Sequence, residues 1–79
     1  MTKSSIVRVY NTRFNEWAEG VKVTLGFTGI LNSGFTKDVY TNREGYACID
    51  HASSGDAEIF VNGQKVGHIY APGSATVHI

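Results

Sequence analysis

Thr41-Asn42-Arg43-Glu44-Gly45-Tyr46-Ala47-Cys48-Ile49 is the stretch that decides the fold class. Two strand-like runs flank a polar turn, and the turn closes on a glycine followed at once by an aromatic residue. Gly45 has no Cβ and accepts φ > 0, so the chain can reverse there and re-enter a sheet. The stretch pairs no nucleophile with a base. It points to an architecture and to no reaction.

Outward from this turn, short alternating runs dominate and helical periodicity is nearly absent. Ile6–Tyr10 is rich in β-branched and aromatic residues and reads as a first strand. Asn11–Gly20 reads as a polar loop carrying Phe14 and Trp17. Val21–Phe27 alternates most cleanly, with Val21, Val23, Leu25 and Phe27 on one face and Lys22 and Thr24 on the other. A turn over Thr28–Gly34 precedes a third strand, Phe35–Thr41, whose charges on both faces predict a sheet edge. Tyr46–Asp50 is the fourth strand, His51–Gly55 a loop and Ala57–Val61 the fifth strand. Asn62-Gly63 predicts a type I′ hairpin into Gln64–Tyr70. A turn around Pro72 leads to the last strand, Ala75–Ile79. Seven short strands separated by frequent turns predict an all-β antiparallel sandwich or small barrel in a single domain over residues 1–79.

Composition bounds the function. A chain of 79 residues holds one thin core. Seven basic residues balance seven acidic ones, which removes the usual electrostatic handle for nucleic acid or anionic membranes and a barrier to self-association. The single cysteine, Cys48, excludes an internal disulfide and any CxxC motif. The N-terminal residues lack the apolar core of a signal peptide, so a cytoplasmic location is the default expectation. A secreted or surface setting is the alternative if a leader precedes them.

Gly20–Leu25, Thr41–Tyr46, Ser54–Ile59 and the closing Ala75–Ile79 together resemble the carboxypeptidase regulatory-like domains, which share the transthyretin (prealbumin) type of sandwich. The resemblance covers nearly the whole chain. It implies a seven-stranded antiparallel Greek-key β-sandwich used as an accessory, stabilising or adhesion-like module. Two chemically active relatives fit poorly. Sandwiches with a Lys–Asn or Lys–Asp isopeptide bond need an early core-facing lysine and a late Asn or Asp. Here the first strand offers Arg8, Lys22 points away from the apolar face, and the last strand has no Asn or Asp. Hydroxyisourate hydrolases end in a Tyr-Arg-Gly-Ser tail, which Thr76-Val77-His78-Ile79 does not match.

The remaining candidates favour binding over catalysis. His51, His68 and His78 read as solvated, with no third ligand to make a metal site. His68 and His78 become cross-strand neighbours if the strands around Pro72 pair. Asp50 and Glu58 read as solvent-face residues rather than an acid–base pair. Cys48 reads as a small buried hydrophobe. Tyr40, Tyr46 and Tyr70 reach water at strand rims or line a sugar-stacking face. Trp17, with Phe14, folds back to cap the thin core or stays exposed as an anchor. Ile30 and Leu31, at a turn tip, either pack on the domain or touch a partner. The expectation is therefore a non-catalytic module without cofactor or metal. Its partner is another protein or a second copy, and Trp17, Phe14, Ile30 and Leu31 carry the contact. A carbohydrate or small-ligand module is the alternative.

Overall fold

The structure, a computed structural model, describes residues 2–28 and 34–79. Its strands are β1 (Lys3–Asn11), β2 (Glu16–Trp17), β3 (Lys22–Phe27), β4 (Gly34–Phe35), β5 (Val39–Tyr40), β6 (Tyr46–His51), β7 (Gly55–Val61), β8 (Gln64–Ala71) and β9 (Ser74–His78). Strand falls within each of the segments expected to be extended, nine strands in all among the described residues. The third segment is divided into β4 and β5, and Trp17 sits in a short strand of its own. The division has a local cause. Thr36 Oγ1 accepts the Leu25 N–H at 2.9 Å and Thr24 donates its hydroxyl to Asp38 at 2.9 Å, so side chains replace ladder bonds between β4 and β5.

The strands form two sheets. In the four-stranded sheet, β1 lies between β6, which is antiparallel to it, and β9, which is parallel. β2 pairs with the far end of β1 at Tyr10 and Asn11. In the five-stranded sheet the order is β4-β3-β7-β8, and β5 also pairs with β3. The residues read as an edge strand thus do lie at a sheet edge. The last strand corrects the expectation of purely antiparallel pairing. The chain leaves β8 in one sheet and enters β9 in the other, so no hairpin dictates the direction of β9.

Alternation sets the core. Val7 and Val9, Val23, Leu25 and Phe27, Ala47 and Ile49, Ala57, Ile59 and Val61, Ile69, Ala71 and Val77 are buried together between the sheets. The result is an all-β sandwich. One bulge adjusts the pattern. Ile59 pairs with Gly67 but Phe60 pairs with Lys65, which leaves Val66 as the extra residue of β8. Strict alternation back from buried Ile69 would turn Lys65 inward. The bulge turns it out, where Nζ meets Glu58 at 2.6 Å, while Val66 packs against the core.

The turn at 42–45 forms as its sequence predicts. Gly45 N–H donates to the Asn42 carbonyl at 2.9 Å, and Asn42 Oδ1 accepts the N–H groups of Glu44 and Tyr46 at 3.0 Å each. Gly45 has φ +84°. Asn62 (φ 51°) and Gly63 (φ 85°) supply the two positive φ angles of the β7–β8 hairpin.

Candidate functional site

The outer face of the four-stranded sheet carries a row of stacked side chains. Residues opposite one another share a face, so Trp17, Tyr10 and His78 form one row across β2, β1 and β9. Tyr46, Arg8 and Thr76 form the next across β6, β1 and β9. Trp17 meets Tyr10 edge-on with ring centroids 5.0 Å apart, and Tyr10 meets His78 at 5.8 Å. Arg8 is held between two rings, its Cζ 3.3 Å from the Trp17 centroid and 4.4 Å from that of Tyr46. Its Nε–H donates to the Glu44 carbonyl at 3.0 Å.

Trp17 does not cap the core: 37% exposed, it lies against Arg8 and Tyr10 on the outside of the sheet. β2 pins it there through the Tyr10↔Trp17 pairing. Phe14, in contrast, is 66% exposed in the turn before β2, where Asn11 Oδ1 accepts the N–H groups of Arg13 and Phe14. Tyr10 donates its hydroxyl to Asn15 Oδ1 and braces the same turn. Ile30 and Leu31 lie outside the described residues.

The outer face of the five-stranded sheet carries a second aromatic cluster. Phe35 and Phe60 meet at 5.6 Å over Gly26, where a Cβ would lie 2.9 Å from Phe60 Cε2 and 3.0 Å from Phe35 Cε1. The missing side chain is what lets both rings lie on the strand. Beside them is an open cleft of about 360 Å³, lined also by Lys22, Thr24, Thr36 and Asp38. Phe35 is 74% exposed, and Tyr40 stands opposite Lys22. A wider cleft of about 490 Å³ lies along β7 and β8 among Thr28, Asp56, Glu58, His68 and Tyr70.

Several sequence candidates are separated by the two-sheet topology. His68 is on β8 and His78 on β9, in different sheets, so they are not cross-strand neighbours. Asp50 is on β6 and Glu58 on β7, again in different sheets. Asp50 accepts the Ser4 hydroxyl at 2.8 Å. The tyrosines do not share a face: Tyr46 belongs to one sheet, Tyr40 and Tyr70 to the other. Cys48 is exposed, not buried, because inward Ala47 and Ile49 on either side leave it the outer face. No group of three or more His, Cys, Asp or Glu side chains converges as a metal site among the described residues.

His51 corrects its expectation most sharply. β6 continues one residue beyond Asp50, and alternation then turns His51 inward, where it is buried. Nδ1 lies 2.7 Å from the Ser53 carbonyl, which only accepts, so Nδ1 carries the proton. In the neutral ring Nε2 then accepts the Ser5 hydroxyl at 2.7 Å, and Ser5 Oγ accepts the Gly73 N–H at 3.2 Å. A serine hydrogen-bonded to an oriented histidine has the connectivity of an activated nucleophile. Ser5, however, is fully buried and presents no surface to solvent. The network instead ties β1, β6 and the β8–β9 corner together. Sequence reasoning missed it because Ser5 precedes the expected first strand and His51 follows the expected fourth. The signal was parity carried one residue further at each end.

The class defined by these features is an all-β, two-sheet sandwich with aromatic clusters on both outer faces. No family model matches the chain, and no curated protein matches it. Among solved structures it is similar to the Bacillus anthracis TIE protein, with a TM-score of 0.57 and 11% sequence identity. That match covers 99% of this chain and 16% of the other, so the chain spans about a sixth of that protein's length. It is a likeness of fold.

Proposed function

We propose that this domain is a non-catalytic, prealbumin-type Greek-key sandwich, akin to the carboxypeptidase regulatory-like domains, that works as a protein-contact module. The seven-stranded description counts β4 and β5 as one interrupted strand and β2 as an appendage of β1. Its connectivity supports the Greek key: β6 returns from far along the chain to lie beside β1, and β7 to lie beside β3.

One observation carries the functional reading. β8 is the end strand of its sheet, eight residues long, and Tyr70 near its end is 72% exposed. An end strand offers unpaired N–H and C=O groups to a partner strand. The partner is a second copy, because antiparallel β8–β8 pairing is self-complementary and zero net charge does not oppose it. Trp17 and Phe14 lie on or near the other sheet and form no part of this contact.

The double variant His68→Lys/Tyr70→Lys tests the contact. Within one copy each lysine faces an acid, Glu58 or Asp56, so the fold is retained. Across two paired β8 strands the added cations repel. Light scattering from about 10 µM to about 1 mM is expected to show a rising mass for the parent and a constant monomer for the variant. A parent that stays monomeric throughout rejects the reading.

A carbohydrate site is the second reading, favoured by the cleft of Phe35, Phe60, Lys22, Thr24 and Asp38. Aromatic faces suit the C–H side of a sugar, and a carboxylate beside an ammonium suits its hydroxyls. The cleft lies on the sheet opposite Trp17, so Trp17 emission would not sense it. Glycan binding here is expected to shift amide resonances of residues 22–26 and 35–38, and Phe35→Ala to weaken it by about tenfold or more. Shifts confined to the other sheet would discard it.

A further inference from the structure

The geometry points to a carboxylate-binding site centred on Arg8, on the outer face of the four-stranded sheet and separate from the β8 edge. Arg8 lines an open cleft of about 360 Å³ with Ile6, Tyr46, Ser74, Ala75 and Thr76. Three of these residues carry hydroxyl groups at exposed positions: Tyr46, Ser74 and Thr76. Among the described residues, no acidic side chain lines the cleft. The ion pair found among the described residues joins Lys65 to Glu58 in the other sheet, so Arg8 has no carboxylate partner among them. The cleft therefore combines one uncompensated positive charge with a ring of donors.

The guanidinium is also fixed in advance. Trp17 and Tyr46 hold it between their rings, and the Glu44 carbonyl fixes Nε. An arginine immobilised this way loses little conformational freedom when it binds a ligand. With Nε engaged, the two Nη groups remain as a fork, and a fork matches the two oxygens of a carboxylate. A doubly charged phosphate would call for a second cation, and among the described residues Arg8 is the only cationic side chain lining the cleft. The ligand class is thus a singly charged carboxylate, either a small organic acid or the side chain of an acidic peptide.

The chain reports on this site itself. Trp17 is the single tryptophan and lies against Arg8. At constant ionic strength, Trp17 emission is recorded against sodium acetate, against an end-blocked glutamate tripeptide and against its glutamine counterpart. A saturable change with acetate or the glutamate peptide, and none with the glutamine peptide, is the expected result. Equal response to both carboxylates assigns the site to free acids; tighter binding of the peptide assigns it to acidic protein segments.

Arg8→Lys keeps the charge but loses the fork, and is expected to weaken binding by about tenfold. Thr76→Val keeps the strand and removes one donor, for a loss of about threefold to fivefold with an unchanged melting temperature. Amide shifts should centre on Ser74 and Thr76. An equal response to the glutamine peptide, no saturation by about 50 mM, or unchanged affinity in both variants overturns the assignment.

Discussion

Replacing Gly45 with alanine is expected to destabilise the domain by about 3 kcal/mol, several times the effect of the same change at most surface positions. Two costs combine. At φ +84° any side chain pays the left-handed penalty of about 1–2 kcal/mol. The new Cβ would also lie 2.7 Å from the Val9 carbonyl oxygen, which is backbone and cannot rotate away. That oxygen accepts the Ala18 N–H at 2.9 Å, and Val9 N–H donates to the Gly45 carbonyl at 2.9 Å. The substitution therefore pries at both the turn and the segment that positions Trp17. Gly63 is the control: φ is +85° and nothing lies within 4 Å of its Cβ position. Gly63→Ala should pay the conformational penalty alone, about 1–2 kcal/mol. Urea unfolding of both variants measures the difference. Equal losses would show that the Val9 contact contributes nothing.

That turn was legible in the sequence because its determinants are adjacent. Asn42 accepts the turn's N–H groups, Gly45 supplies the positive φ, and Tyr46 begins the next strand. The Asn62-Gly63 hairpin and the inward face of Val23, Leu25 and Phe27 were legible for the same reason. What was hidden depends on distant partners. The residues around Pro72 announce a turn but not which sheet the next strand joins, so the parallel pairing of β9 with β1 had no local sign. The bulge at Val66 is also a property of two strands together, since it brings Lys65 to the outer face beside Glu58.

The surface sites divide along the same line. Trp17 stands out in the sequence as the single tryptophan, but its environment is assembled from β1, β2 and β6. In the sequence Arg8 signals nothing beyond a side chain unable to stand in for a nucleophilic lysine. The cleft around it draws on β9, which reaches β1 only through the change of sheet. The Phe35–Phe60 cluster needs Gly26 between the two rings. In the sequence Gly26 is only a gap in a strand; in the sheet it is the floor on which two aromatic residues meet.

The buried Ser5–His51 pair gives the second large effect. Ser5→Ala removes the donor to His51 Nε2 and the acceptor for Gly73 N–H together, leaving both without their partner at the end of the sandwich. The expected cost is about 1–3 kcal/mol. His51→Leu removes the ring that packs against Phe27 at 5.4 Å and frees the Ser53 carbonyl and the Ser5 hydroxyl, at an expected cost of about 3 kcal/mol. The double variant distinguishes a linked network from two independent contacts. Once His51 is gone, the Ser5 hydroxyl has already lost its acceptor, and truncating it then costs only its remaining bond from the Gly73 N–H. The combined loss should fall short of the sum by about 1–2 kcal/mol. Losses that add to within about 0.5 kcal/mol would mean that the two side chains stabilise the domain separately.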